Sequence, residues 1–164
     1  MAMDEVNELK GLGFKGFKSI FELTSDYFPI PNKMGVYCII CLEDNCEFLD
    51  IGSGGHFKGK NPNVLPSLLK INWVHKAKIV YIGKAGGSQS NATLQSRLKQ
   101  YFKFGQGRRV GHWGGRLIWQ MENSQKLIVA WKSLNTEEPR DYETELIKKF
   151  VTRHGKRPFA NLKD

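Results

Sequence analysis

The chain has 164 residues, a formal net charge of +9, 40% hydrophobic and 25% charged residues. That balance excludes a disordered or collagen-like polymer, and no apolar run approaches the thickness of a bilayer. The opening Met-Ala-Met-Asp-Glu-Val-Asn lacks the basic and apolar regions of a signal peptide, so a cytoplasmic protein without a membrane partner is expected.

The length suits a single domain, 1–164, with one elaborated insertion. A short helix is expected near 3–10, ended by Gly11, Gly13 and Gly16, and Pro29 and Pro31 precede a first strand at 34–42. A second strand is read at Cys46–Ile51, followed by a Gly-rich loop from Gly52 to Asn63. Leu65–Trp73 fits helix or strand equally, and Lys78–Gly83 is a strand. Ala92–Phe102 reads as a helix opened by Asn91, and Leu127–Trp131 as the third core strand. Thr136–Arg153 is the longest helix, with Thr136 as its cap and Pro139 in its first turn. The tail beyond Gly155 is read as extended. The whole predicts an α/β (α+β) fold: a small, mainly antiparallel three-stranded sheet, with both helices covering one of its faces. The insertion occupies about 43–77, within a core running from 34 to 162.

Three motifs are dismissed on their residues. Cys38 and Cys41 have C-x-x-C spacing, but in a strand residues three apart point to opposite faces. With Cys46 they read as buried thiols, not as a zinc knuckle. Gly54-x-x-x-x-Gly59-Lys60 approximates a phosphate-binding loop, but Asn61 replaces the Ser or Thr needed for magnesium, so no nucleotide cofactor is expected. His56, His75, His112 and His154 show no paired spacing for zinc.

The positive charge suits a polyanion, because each cation placed on a phosphate releases condensed counterions. It is clustered: Lys99, Lys103, Arg108, Arg109 and Arg116 alternate with Tyr101, Phe102, Phe104, Trp113 and Trp119. Arg108, Arg109, Arg116 and His112 are therefore candidates for nucleic-acid contact, with His112 read as a surface histidine. On the helix at 92–102, Leu94 and Leu98 mark the buried stripe, and Arg97 and Tyr101 share its edge. On the last helix, Tyr142, Leu146, Ile147, Phe150 and Val151 form an apolar sector with Glu143 in its middle. A carboxylate there is costly to bury unless it is paired, with Arg97 for instance, or holds a cation.

Two segments carry more information than these. Met34-Gly-Val-Tyr-Cys-Ile-Ile and Lys78-Ile-Val-Tyr-Ile-Gly-Lys each set a tyrosine beside a glycine in a β-branched run. With Arg97, with Glu143 in Glu-Thr-Glu-Leu-Ile, and with Asn161 in Pro-Phe-Ala-Asn-Leu, the order and residue types resemble the GIY-YIG nuclease superfamily, over residues 34–162. Lys84 is similar to a lysine of its repair-excinuclease branch, and Tyr101 to the residue one turn after its arginine. The resemblance implies a metal-dependent endonuclease hydrolysing DNA, duplex more than single-stranded. Glu143 would hold Mg²⁺ (Mn²⁺ as alternative), and Tyr37 would act as or assist the general base. Lys84 or the metal would favour the Tyr37 phenolate, Tyr81 would orient water or bind phosphate, and Arg97 would neutralise developing charge. Gly83 would let the phosphate approach the backbone, Tyr101 would complete the site, and Asn161 would fix its geometry. Tyr37 and Tyr81 lie 44 positions apart, where simple members have a short hairpin, which brings the chain closer to restriction-type or free-standing members. A non-catalytic nucleic-acid-binding module and an RNA-directed nuclease are the rival readings.

Overall fold

Every residue from Gly35 to Ile40 is buried, which is possible only for a strand covered on both faces. The computed structural model describes residues 4–162 and shows how that cover is built. In chain order the elements are α1 (Glu5–Gly11), β1 (Lys15–Ser19), α2 (Ile20–Ser25), β2 (Gly35–Ile40), α3 (Pro66–Asn72), β3 (Ile79–Ala85), α4 (Leu94–Gly105), β4 (Ile128–Ser133) and α5 (Pro139–His154). The strands form one antiparallel sheet in the order β1-β4-β2-β3. The α+β expectation holds with four strands rather than three. β1 adds the fourth, pairing β4 through a bulge at which Phe17 takes a left-handed φ of 56°. Among the described residues no helix is long and apolar enough to cross a membrane.

The two long helices lie on opposite faces, not together on one. Val36, Cys38, Ile40, Ile82 and Ala130 point toward α1 and α5, whose Leu9, Leu146, Ile147 and Phe150 cover them. Tyr37, Ile39, Tyr81, Val129 and Trp131 point the other way, against α2, α3, α4 and the segment 117–127. Cys38 and Cys41 fall into these separate cores, and all three thiols are free. Burial pushes the Cys38 thiol upward and that of half-buried Cys46 to about 12.

Several boundaries differ from expectation for local reasons. The first helix is capped by Asp4, whose carboxylate accepts from Val6 N–H; the expected start at Met3 lies outside the described residues. Cys46–Ile51 is not a strand. Its backbone bonds go to the 3₁₀ turn at 116–120 and the residues after it, leaving a single bridge, Phe48 to Met121. Leu65–Trp73 resolves as helix. α4 is opened by a capping box between Thr93 and Ser96, not by Asn91. α5 begins at Pro139 with no side-chain cap, because Glu138 instead accepts from Ser88 N–H at 3.1 Å. The insertion is irregular apart from α3 and a 3₁₀ turn at Phe57–Gly59. Buried Gln120 holds it, donating to the Leu49 and Val64 carbonyls at 3.0 and 2.8 Å and accepting from Val64 N–H at 2.9 Å.

Candidate active site

The β2–β3 register pairs Tyr37 with Gly83 and Ile39 with Tyr81, so both tyrosines stand on the α4 side of the sheet. Their ring centroids are 6.1 Å apart. Gly83 sits under the first of them: a Cβ there would lie 2.4 Å from Tyr37 Cζ and 2.5 Å from its oxygen. The space left by this glycine is filled by the phenol itself, so the expected phosphate approach at Gly83 is corrected. Lys84 pairs with Val36, whose side chain faces the opposite core. By strand alternation Lys84 therefore stands on the other face from Tyr37, and its expected role of favouring the Tyr37 phenolate has no geometric basis.

Behind the tyrosines lies a histidine that the sequence reading put at the surface. His112 is only 1% exposed. Its ring stacks on Tyr101 at 3.8 Å with an interplanar angle of 7°, and its Nε2 lies 3.0 Å from the Tyr37 hydroxyl. Its Nδ1 is buried without a hydrogen-bond partner. The Tyr101 hydroxyl donates to the Gly115 carbonyl at 2.5 Å. That bond occupies the hydroxyl, so Tyr101 acts as a wall that holds His112 rather than as a reacting group. Arg97, one turn earlier on α4, donates from Nη1 to the Gly111 carbonyl and to Gln100 Oε1, each at 3.0 Å. Arg97 thereby fixes the loop that delivers His112.

The electrostatics follow from this burial. Desolvation raises the Tyr37 phenol well above its ordinary value; the neighbouring Tyr81 phenol adds to the rise and the Arg97 guanidinium opposes it. Tyr81 is pushed up to about 12, first by burial and then by the Glu143 carboxylate, again against Arg97. His112 is held well below its usual range by burial and by Arg97. The resting pair is thus a neutral phenol on a neutral imidazole.

Glu143 reaches the site from the other face, around the outer edge of β3. The buried stripe of α5 is Leu146, Ile147 and Phe150, while Val151 is 36% exposed. Glu143 falls within the angular span of that stripe, as expected, but one turn nearer the helix start than Leu146 and Ile147, where it is only half-buried. There it lines a cleft of about 580 Å³ with Tyr81, Ile82, Trp113, Arg116 and Asn161. Arg116 lies 4.5 Å over the Trp113 ring and donates to the Trp113 carbonyl, and desolvation lowers its pKa. Asn161 is fully engaged: its amide donates to the Ile82 carbonyl and its Oδ1 accepts from Ile82 N–H, both at 2.9 Å. Asn161 therefore acts as a strand partner for the β3 edge and holds the cleft wall. Arg108 and Arg109 are exposed on the loop after α4.

The donor set is a single carboxylate, which suits hard, oxygen-preferring cations. Among the described residues no three His, Cys, Asp or Glu side chains converge, which is unlike a structural zinc site. A carboxylate on a water-accessible cleft suits Mg²⁺, which retains most of its waters and takes one or two carboxylates. Of the residues singled out in the sequence, Tyr81, Glu143 and Asn161 line the cleft at the β3 edge, while Tyr37 stands on the interior strand β2 and Arg97 on α4. The sequence reading missed the His112 partnership, whose only local signal is a histidine flanked by glycines and an aromatic ring in Gly111-His-Trp-Gly-Gly. No family model matches the chain, and no curated protein or solved structure compared with it matches either.

Proposed function

We propose that the chain is a GIY-YIG-type endonuclease that hydrolyses DNA phosphodiesters in the cleft at the outer edge of β3. One observation carries this reading: Tyr81, Arg116, Glu143 and Asn161 line a single cleft, with the Tyr37–His112 pair and Arg97 directly behind it. Hydrolysis of a phosphodiester needs a proton acceptor for water and fixed positive charge for the phosphoryl oxygens.

Each residue has a role set by its place. Arg116, braced on Trp113, meets the phosphate at the mouth of the cleft. Tyr81 fronts the cleft and is the group positioned to orient the attacking water. Tyr37, at 1% exposure, is sealed behind it and is better placed to receive a proton than to touch substrate. His112 Nε2 is the acceptor for the Tyr37 proton. In the unperturbed groups that transfer is uphill by about 3.5 pKa units, or about 5 kcal/mol, and burial of both partners widens the gap. The Tyr37–His112 pair therefore rests uncharged, and positive charge added beside the phenol favours its ionisation. A divalent cation on Glu143 would supply that charge and neutralise the phosphate. Arg97 favours the phenolate but disfavours a protonated His112, so its two effects on this transfer oppose each other.

The test is nicking of supercoiled plasmid in Mg²⁺ by the wild type, Glu143→Gln and Arg97→Ala. Loss of nicking by 10²-fold or more in both variants, with folding retained, is the expected result. Equal nicking by all three overturns the mechanism, and salt-sensitive DNA binding without nicking by the wild type favours the binding-module reading.

A further inference from the structure

The charge of this chain is divided along its length. From Ile51 to Met121 there are twelve Lys and Arg and no Asp or Glu, whereas the remaining residues hold thirteen Lys and Arg against sixteen Asp and Glu. The acid-free stretch contains the Gly-rich part of the insertion as well as α4 and the loop that follows it.

Those two parts are built onto each other. Gly55 N–H donates to the Phe104 carbonyl at 2.9 Å, and a Cβ on Gly55 would lie 2.0 Å from the Arg108 carbonyl oxygen. Only glycine allows backbone to meet backbone there. Two residues on, the Phe57 ring lies against Gly111, 3.4 Å from where a Cβ would stand, and the Gly111 carbonyl is the one that holds Arg97. Lys58 then places its ammonium 5.3 Å from the Phe57 ring centroid. Its backbone is left-handed, with φ 55° and ψ 34°, a conformation that a lysine adopts only at a cost. Lys58, Lys60, Arg108 and Arg109 are all exposed, and among the described residues none of the four forms an ion pair with a carboxylate.

We propose that the insertion supplies half of a backbone-gripping rim: Lys58 and Lys60 continue the Arg108–Arg109 cations into one phosphate-contacting track for duplex DNA beside the cleft. The siting of this track relative to a scissile phosphate rests on the endonuclease reading. A duplex fits better than a single strand, because a single-strand groove offers ring faces on which bases stack. The rings of this rim are taken: Phe104 is fully buried, Phe57 carries Lys58, and Trp113 carries Arg116.

The test is anisotropy titration of a labelled 20-bp duplex in EDTA, where no metal-dependent cleavage occurs, across a salt series. The proteins are the wild type, Lys58→Asn with Lys60→Gln, and a control pair, Lys70→Gln with Lys76→Asn, which removes the same charge from exposed sites elsewhere in the insertion. Asn is chosen at 58 because it tolerates the left-handed backbone. Each lost phosphate contact removes about 0.9 from the slope of log K against log salt. The rim pair should therefore lose about 1.8 in slope and bind about 60-fold more weakly at 0.1 M salt, while the control pair changes neither substantially. An unchanged slope in the rim pair, or an equal loss in both pairs, overturns the proposal. A larger loss on hairpin RNA than on the duplex overturns the choice of partner. Plasmid nicking is read separately: failure of the wild type to nick sinks the endonuclease reading while the salt slopes still decide the rim.

Discussion

Gly83→Ala separates two explanations of why a glycine stands beside the tyrosines. The added Cβ would lie 2.4 Å from Tyr37 Cζ, whereas relaxed carbon contacts need about 3.5–4.0 Å, so the ring must retreat by more than an ångström. It has little room: Tyr81 and Tyr101 flank it at centroid distances of 6.1 and 6.4 Å, and its hydroxyl is held by His112. Overpacking of this kind costs about 1–3 kcal/mol, and a strained buried hydrogen bond adds about 1 kcal/mol. For a chain of this size that lowers Tm by roughly 5–15 °C. The assay is thermal unfolding followed by circular dichroism, run as a double-mutant cycle with Tyr37→Val, which removes the ring. In that background the alanine should cost less than about 0.5 kcal/mol, giving a coupling above about 1 kcal/mol. If Gly83→Ala instead abolishes nicking with Tm unchanged, the glycine serves the phosphate and the packing account is wrong.

Two further outcomes follow from the same site. Because burial lowers the folded-state pKa of His112, the unfolded chain binds more protons below about pH 6.5. This group therefore contributes stability above that pH, which is lost as pH falls toward the folded value, at up to about 1.4 kcal/mol per pH unit. Urea unfolding of the wild type between pH 6.5 and 5 should fall more steeply than that of His112→Gln, and coincident slopes would refute a neutral buried imidazole. Asn161→Asp keeps the acceptor for Ile82 N–H but sets an anion against the Ile82 carbonyl. It should cost about 2–3 kcal/mol and speed hydrogen exchange at the Ile82 amide, and unchanged exchange there would remove Asn161 from the strand edge.

What could be read from the chain depended on whether a residue's surroundings were local. Tyr37 and Tyr81 were legible as strand residues because each sits beside a glycine in a β-branched run, although their sharing a face is set by the β2–β3 register, which is not local. Glu143 was legible because its neighbours on the helix are apolar, although the wheel could not show that its place near the start of α5 leaves it only half-buried. β1 was hidden, since Lys15-Gly-Phe-Lys-Ser pairs on one side only, is bulged, and alternates poorly. His112 was hidden more deeply. Its burial is decided by Tyr101, eleven residues earlier on a helix, and by Tyr37, 75 residues earlier on a strand. Lys84 misled for a related reason: adjacency to Gly83 in sequence means opposite faces in a strand.

The side-chain amide that lies along the outer strand has a meaning beyond the cleft it shapes. A sheet whose margins are bare is a template on which other chains can add, and here each margin carries a feature that discourages it. On the β1 side, two lysines and a kinked backbone spoil any straight docking line. On the β3 side, the last described turn of the chain lays Ala160 and Asn161 over the polar groups that a stranger would seek. The wall of the cleft and the cover of the outer strand are here the same few atoms.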